Sequence, residues 1–151
     1  MFSGLRVGVA LMVAAVSLST VHAADRHASF DKILDIYVRD GNVYYRALQQ
    51  ERRALDQYVK SLDVPAAEVA AWPRAEQTAF WLNAYNALVL ETVIDKYPIK
   101  GTAPDYPANS VRQIPGGFDQ RAFAVGGRTV TLDAIEKTIL IPTGDARVDR
   151  K

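Results

Sequence analysis

The stretch from Pro73 to Lys96 constrains this chain more than any other. It carries no glycine, and no proline after Pro73 itself, and it stops at Tyr97-Pro98. A residue before proline is pushed out of the helical region, so the pattern predicts one long helix ending there. At about 100° per residue, Ala79, Ala87, Leu90, Val93 and Ile94 share one face. Trp81, Tyr85, Leu88 and Val89 lie on other sides. A helix that is apolar nearly all round in its middle is a buried central helix, and the rest of the chain must be arranged to cover it.

The flanking segments supply candidates for that cover. Ser29 can cap a helix running to about Val38, with Phe30, Ile33, Leu34 and Tyr37 on one side. Asp40-Gly41-Asn42 is a turn signal, and Val43-Tyr44-Tyr45 reads as a short strand. Arg46 to Leu62 reads as a second helix with Leu48, Leu55, Tyr58, Val59 and Leu62 as its apolar stripe. Asp63 and Pro65 open a short helical turn. Lys100 to Gly117 is rich in proline and glycine and reads as a loop, with room for a turn of helix at Asn109–Arg112. Phe118 to Val125 and Arg128 to Val130 form a hairpin about Gly126-Gly127. Thr131 caps a final helix to about Leu140, with Asp133 and Glu136 near its positive end. The expected fold is therefore α+β: mainly helical, with a long buried central helix and a small antiparallel sheet made by the hairpin and the early strand.

Residues 1–23 read as a secretory signal peptide. Arg6 precedes an apolar run from Val7 to Leu18 that is too short to span a bilayer comfortably. Val21-His22-Ala23 then suits a signal peptidase, with the cut between Ala23 and Ala24. No later stretch is a membrane span, so the expected product is exported, to the periplasm or the medium of a bacterium. Residues 24–148 form one domain, with 149–151 as a divergent tail.

Composition excludes several functions. The chain has 151 residues and no cysteine, which removes disulfides, thiolate metal sites and a cysteine nucleophile. A formal charge of +1 leaves no basic footprint for nucleic acid. No Gly-x-Ser-x-Gly elbow, phosphate loop or dinucleotide fingerprint occurs. His27 is the one histidine after the expected cut, and its nearness to the new terminus argues for a loose end rather than a catalytic group.

The polar candidates lie on or near the central helix. Asn83 and Asn86 are helix neighbours on the face of Ala79, Leu90, Val93 and Ile94, where a buried amide must find a partner or cost about 1–3 kcal/mol. They either clamp a neighbouring loop or line a site. Trp81 and Tyr85 read first as core. Glu136 reads first as a helix-start carboxylate and second as an acid or base, and Arg147 could pair with it or hold an anion. The pairs Glu91/Asp95 and Asp31/Asp35 share helix sides, but two solvated carboxylates do not make a metal site. No catalytic residue, metal or cofactor is assigned. The expected partner is a small polar ligand, a peptide or an envelope protein.

Several strings resemble one family in order. They are Tyr37-Val38-Arg39-Asp40-Gly41-Asn42-Val43-Tyr44-Tyr45, Leu55-Asp56-Gln57-Tyr58, and Phe80-Trp81-Leu82-Asn83-Ala84-Tyr85-Asn86-Ala87-Leu88. Val125-Gly126-Gly127 with Thr131-Leu132-Asp133-Ala134-Ile135-Glu136 follows, then Asp145-Ala146-Arg147-Val148. Together they resemble the bacterial and plant domain-of-unknown-function family numbered 547. The resemblance implies a continuation into a His-Phe-Ala stretch and a cysteine-containing segment. Here Val148 is followed by Asp149-Arg150-Lys151, so the resemblance implies a C-terminally truncated member and an incomplete sheet. The expected function is a non-catalytic binding or envelope-associated role, or a non-functional short copy. The alternative is the remnant of a hydrolase-like or thiol-dependent enzyme whose His/Cys segment is missing.

Overall fold

The computed structural model describes residues 19–141, with side chains from Arg26 onward. The body of the expected signal peptide, the Asp145–Val148 string with Arg147, and the 149–151 tail lie outside the described residues. Helix α1 (Ser19–Tyr37) leads into strand β1 (Val38–Arg39), which pairs antiparallel with β2 (Asn42–Val43). Helices α2 (Tyr45–Gln50), α3 (Arg53–Ser61) and α4 (Ala66–Ala71) follow, then the long α5 (Arg74–Lys96). A 3₁₀ turn (Val111–Gln113) precedes the hairpin β3 (Phe123–Val125) and β4 (Arg128–Val130). A short α6 (Leu132–Ala134) widens into a π-helix (Ile135–Leu140). The fold is mainly helical α+β with small antiparallel sheets. No helix among the described residues is long and apolar enough to cross a membrane.

Helix α5 forms where its sequence pattern predicts. Pro73 sits just before it in extended backbone, and Tyr97, ahead of a cis Pro98, leaves the helical region at its end. Two carbonyls at that end are partnered by a side chain: Gln49 Nε2 donates to Ile94 O at 2.6 Å and to Tyr97 O at 3.0 Å. Phe80, Trp81, Ala84, Ala87, Leu88, Leu90, Val93 and Ile94 are buried along it. They meet Phe30, Ile33 and Tyr37 of α1, Leu48 of α2, Leu55 and Tyr58 of α3, and Leu132 and Ile135 after the hairpin, in one hydrophobic cluster.

Four local expectations are corrected. The first helix starts at Ser19, so Ser29 lies inside it rather than capping it. The stretch Arg46–Leu62 is two helices, because the backbone leaves helical geometry at Glu51 and Arg52 has to restart it. The early strand ends at Val43 and makes its own two-stranded sheet with β1, separate from the β3–β4 hairpin. Asp40 and Gly41 turn it with φ of 51° and 76°. The last helix is mostly π-helical, with Ile141 N–H bonding Glu136 O five residues back at 2.9 Å.

Candidate functional site

Helix α5 is not covered all round. Ala79, Leu82 and Asn86 are exposed and Asn83 is half-buried, a stripe at helical spacing that the described elements leave largely open. Asn86 is therefore exposed rather than a buried amide, while Asn83 is partly covered. No hydrogen bond to either side chain is made among the described residues. The physical reason is which side the neighbours take: among the described residues, α1, α2, α3 and the π-helix pack mainly against the other faces of α5.

Toward its C-terminal half the stripe runs into a cleft of about 400 Å³. Its walls are Leu34 of α1, Val38 and Val43 of the β1–β2 hairpin, Val89 and Leu90 of α5, Val111 and Phe118. Its polar lining is Tyr85, Asn86 and Arg112. Each element arrives for a local reason. The Asp40-Gly41 turn folds Val43 back beside Val38. Ser110 caps the 3₁₀ turn, its Oγ accepting from Arg112 N–H at 3.2 Å, and this sets Arg112 at the wall. The Arg112 guanidinium lies 5.0 Å from the Phe118 ring centre, within cation–π range.

Tyr85 and Glu136 meet. The Tyr85 hydroxyl donates to Glu136 Oε2 at 3.0 Å, across 51 residues of sequence. Glu136 reaches it because Thr131 Oγ1 caps α6, accepting from Ala134 N–H at 3.1 Å, and the π-turn follows at once. Burial first, and the carboxylate second, push the Tyr85 hydroxyl up to about 12, so it stays protonated and acts as a donor. Asp133, three residues before Glu136, is held by Lys137 Nζ at 2.5 Å.

Trp81 does not join this cluster. It is buried, edge-on to Phe80 with ring centres 5.3 Å apart, and packs over Gly126 of the hairpin turn. Arg147 lies outside the described residues, so its pairing with Glu136 has no structural counterpart. Glu91 and Asp95 are bonded to arginines: Arg121 reaches both, at 3.1 and 2.6 Å, and Arg52 reaches Asp95 at 2.7 Å. Burial pushes the Glu91 carboxyl up against the pull of Arg121. Burial also works against Asp95, but hydrogen bonds from Arg52 and Arg121 outweigh it and hold that carboxyl low.

Two residues were misread or missed in the sequence. His27 is not a loose end. It is buried, with Nδ1 2.7 Å from the Tyr58 hydroxyl and its ring against Phe80. Its place one turn ahead of the Phe30/Ile33/Tyr37 stripe was the available clue. Arg112 gave no clue, being one basic residue in a loop.

No curated protein and no solved structure matches the chain. The family described as "Protein of unknown function, DUF547" matches residues 69–150, more than half of it. The matched span runs from α4 through α5, the 3₁₀ turn, the hairpin and the π-helix, and so includes Tyr85, Asn86, Arg112 and Glu136. The chain belongs to the DUF547 family.

Proposed function

We propose that this DUF547 member is an exported, non-catalytic binding domain that takes a small polar ligand, or the end of a peptide, in the cleft over Tyr85 and Asn86. The observation that carries the reading is the cleft itself: an open cavity of about 400 Å³ with mostly apolar walls and a few polar groups. Ligand sites are commonly of that size and make-up. The chemistry of its lining favours holding over reacting. Tyr85 is a tethered donor rather than a base, and no histidine or carboxylate lines the cleft among the described residues. Export rests on the signal-peptide pattern of residues 1–23.

The test uses hexan-1-ol as a neutral probe of the apolar walls. Saturable methyl shifts at Val43, Val89 and Leu90 in NMR spectra of the exported protein are expected, and Val89→Trp, which fills the cleft, should abolish them. No saturable shift with the wild-type protein overturns the binding reading. The mass of the protein recovered from the periplasm or medium should correspond to a start at Ala24; retention of residues 1–23 would overturn export with cleavage.

A further inference from the structure

We propose that the cleft selects ligands ending in a carboxylate, with Arg112 as the group that pairs with it and Gln113 as a positioning residue. This rests on the binding reading above and adds the ligand class.

The lining is electrostatically one-sided. Among the described residues, Arg112 is the only charged side chain that lines the cleft. It makes no ion pair among the described residues, whereas Arg52 and Arg121 are each held by two carboxylates. Glu136 and Asp133 do not line the cleft; Glu136 accepts from the Tyr85 hydroxyl and Asp133 pairs with Lys137. A cationic ligand would meet a guanidinium and no counter-charge in the lining. A carboxylate would meet a planar fork of N–H donors. Arg112 is itself exposed, so the pairing forms at the mouth of the cleft, and the apolar walls hold the ligand's body. The Asn86 amide is exposed on the same lining and makes no hydrogen bond among the described residues, so it can donate to the second oxygen. The remaining volume suits a short aliphatic or single-ring body.

Arg112 is aimed by more than its own stacking on Phe118. The next residue, Gln113, is buried and knots the preceding loop. Its Nε2 donates to Tyr106 O at 2.8 Å and Ala103 O at 2.9 Å, with Pro107 O at 3.3 Å, and its Oε1 accepts from Ala103 N–H at 3.0 Å. Gly101 gives the amide room, since a Cβ there would lie 2.1 Å from Oε1. A loop of this composition would otherwise be free to move, and with it the turn that carries Arg112. Preorganisation of this kind lowers the ordering cost of binding.

The experiment compares hexanoate with hexan-1-ol and hexylamine. It also compares N-acetyl-alanyl-leucine with its C-terminal amide, each titrated into the exported protein and followed by NMR. Hexanoate, the free-acid peptide or both should bind at least tenfold tighter than the neutral counterpart, with hexylamine weakest. Which acid binds tells a small organic acid from a peptide end. Arg112→Gln should erase the acid preference while hexan-1-ol still binds, and Arg112→Lys should keep only part of it. Gln113→Ala should reduce the acid preference without abolishing hexan-1-ol binding, an effect that lost stability alone would not produce. Equal binding of acid and alcohol by the wild type, or a preference that survives Arg112→Gln, overturns the proposal and leaves the binding reading standing. Failure of every probe overturns both.

Discussion

His27 Nδ1 and the Tyr58 hydroxyl lie 2.7 Å apart inside the core, joining α1 to α3 across 31 residues. The imidazole rests against Phe80 of α5 as well, so one polar contact ties three helices together. Burial first, then the charge of Arg26, hold the His27 pKa below its ordinary 6.5, while Asp31 pulls the other way. Tyr58 is pushed above the ordinary tyrosine value by burial and by Asp31, so its hydroxyl stays neutral. The groups that face the imidazole are Arg26 and Asp31 on its own helix, Tyr58 on α3, and Glu76 of α5 across a small cavity.

A pH dependence of stability follows from His27. Below 6.5 the unfolded chain protonates this residue while the folded chain resists, so the unfolded state binds more protons. The contribution is fully present above 6.5 and is lost as pH falls through the window between 6.5 and the lowered folded value. Glu91 acts with the opposite sign at lower pH, because its folded carboxyl is raised. Comparison with His27→Gln isolates the histidine. The wild-type melting temperature should fall by a few degrees between about pH 7.5 and 5.5, and the fall should be smaller in His27→Gln. Equal slopes for the two proteins would remove His27 from the account.

Thr92 predicts a gain on substitution. It is 1 % exposed on α5, and its Oγ1 is buried with no hydrogen-bond partner. A buried hydroxyl left unpartnered carries a desolvation cost, and an apolar group of the same shape removes it. Thr92→Val should therefore stabilise the domain by about 1 kcal/mol in urea unfolding. A loss of stability would mean that the hydroxyl is bonded in solution.

The two glycine turns should respond differently to alanine. Gly41 has φ of 76° with nothing within 4 Å of an added Cβ, so Gly41→Ala meets only the left-handed strain, about 1 kcal/mol. Gly127 has φ of 67°, and its added Cβ would lie 2.7 Å from the backbone nitrogen of Ala66. That turn is also pinned, with Gly126 N–H bonding Leu62 O at 2.8 Å, so it cannot easily shift away. Gly127→Ala should cost more than Gly41→Ala, by at least about 1 kcal/mol. Chemical denaturation of the two variants checks the order, and equal costs would show that the hairpin turn is free to move.

Local signals in the chain determined much of this protein. Helix α5 was legible because proline bounds it and nothing breaks its apolar pattern between Pro73 and Lys96. The buried stripes Phe30/Ile33/Tyr37 and Leu48/Leu55/Tyr58/Leu62 were legible because helical spacing puts those residues on one side. Gly126-Gly127 and the Thr131 cap marked the hairpin turn and the helix after it, through backbone chemistry that acts within four residues. Tertiary structure alone decided the rest. Periodicity tells which residues share a face of α5 but not which face the neighbours leave open; the tertiary packing leaves Asn86 exposed and Asn83 half-buried. It brought Glu136 to Tyr85, buried His27, and set Arg112 from a loop against the aliphatic wall of a cleft. Each of these depends on contacts between segments far apart in the chain, whose formation is governed by how the whole core closes rather than by any local preference.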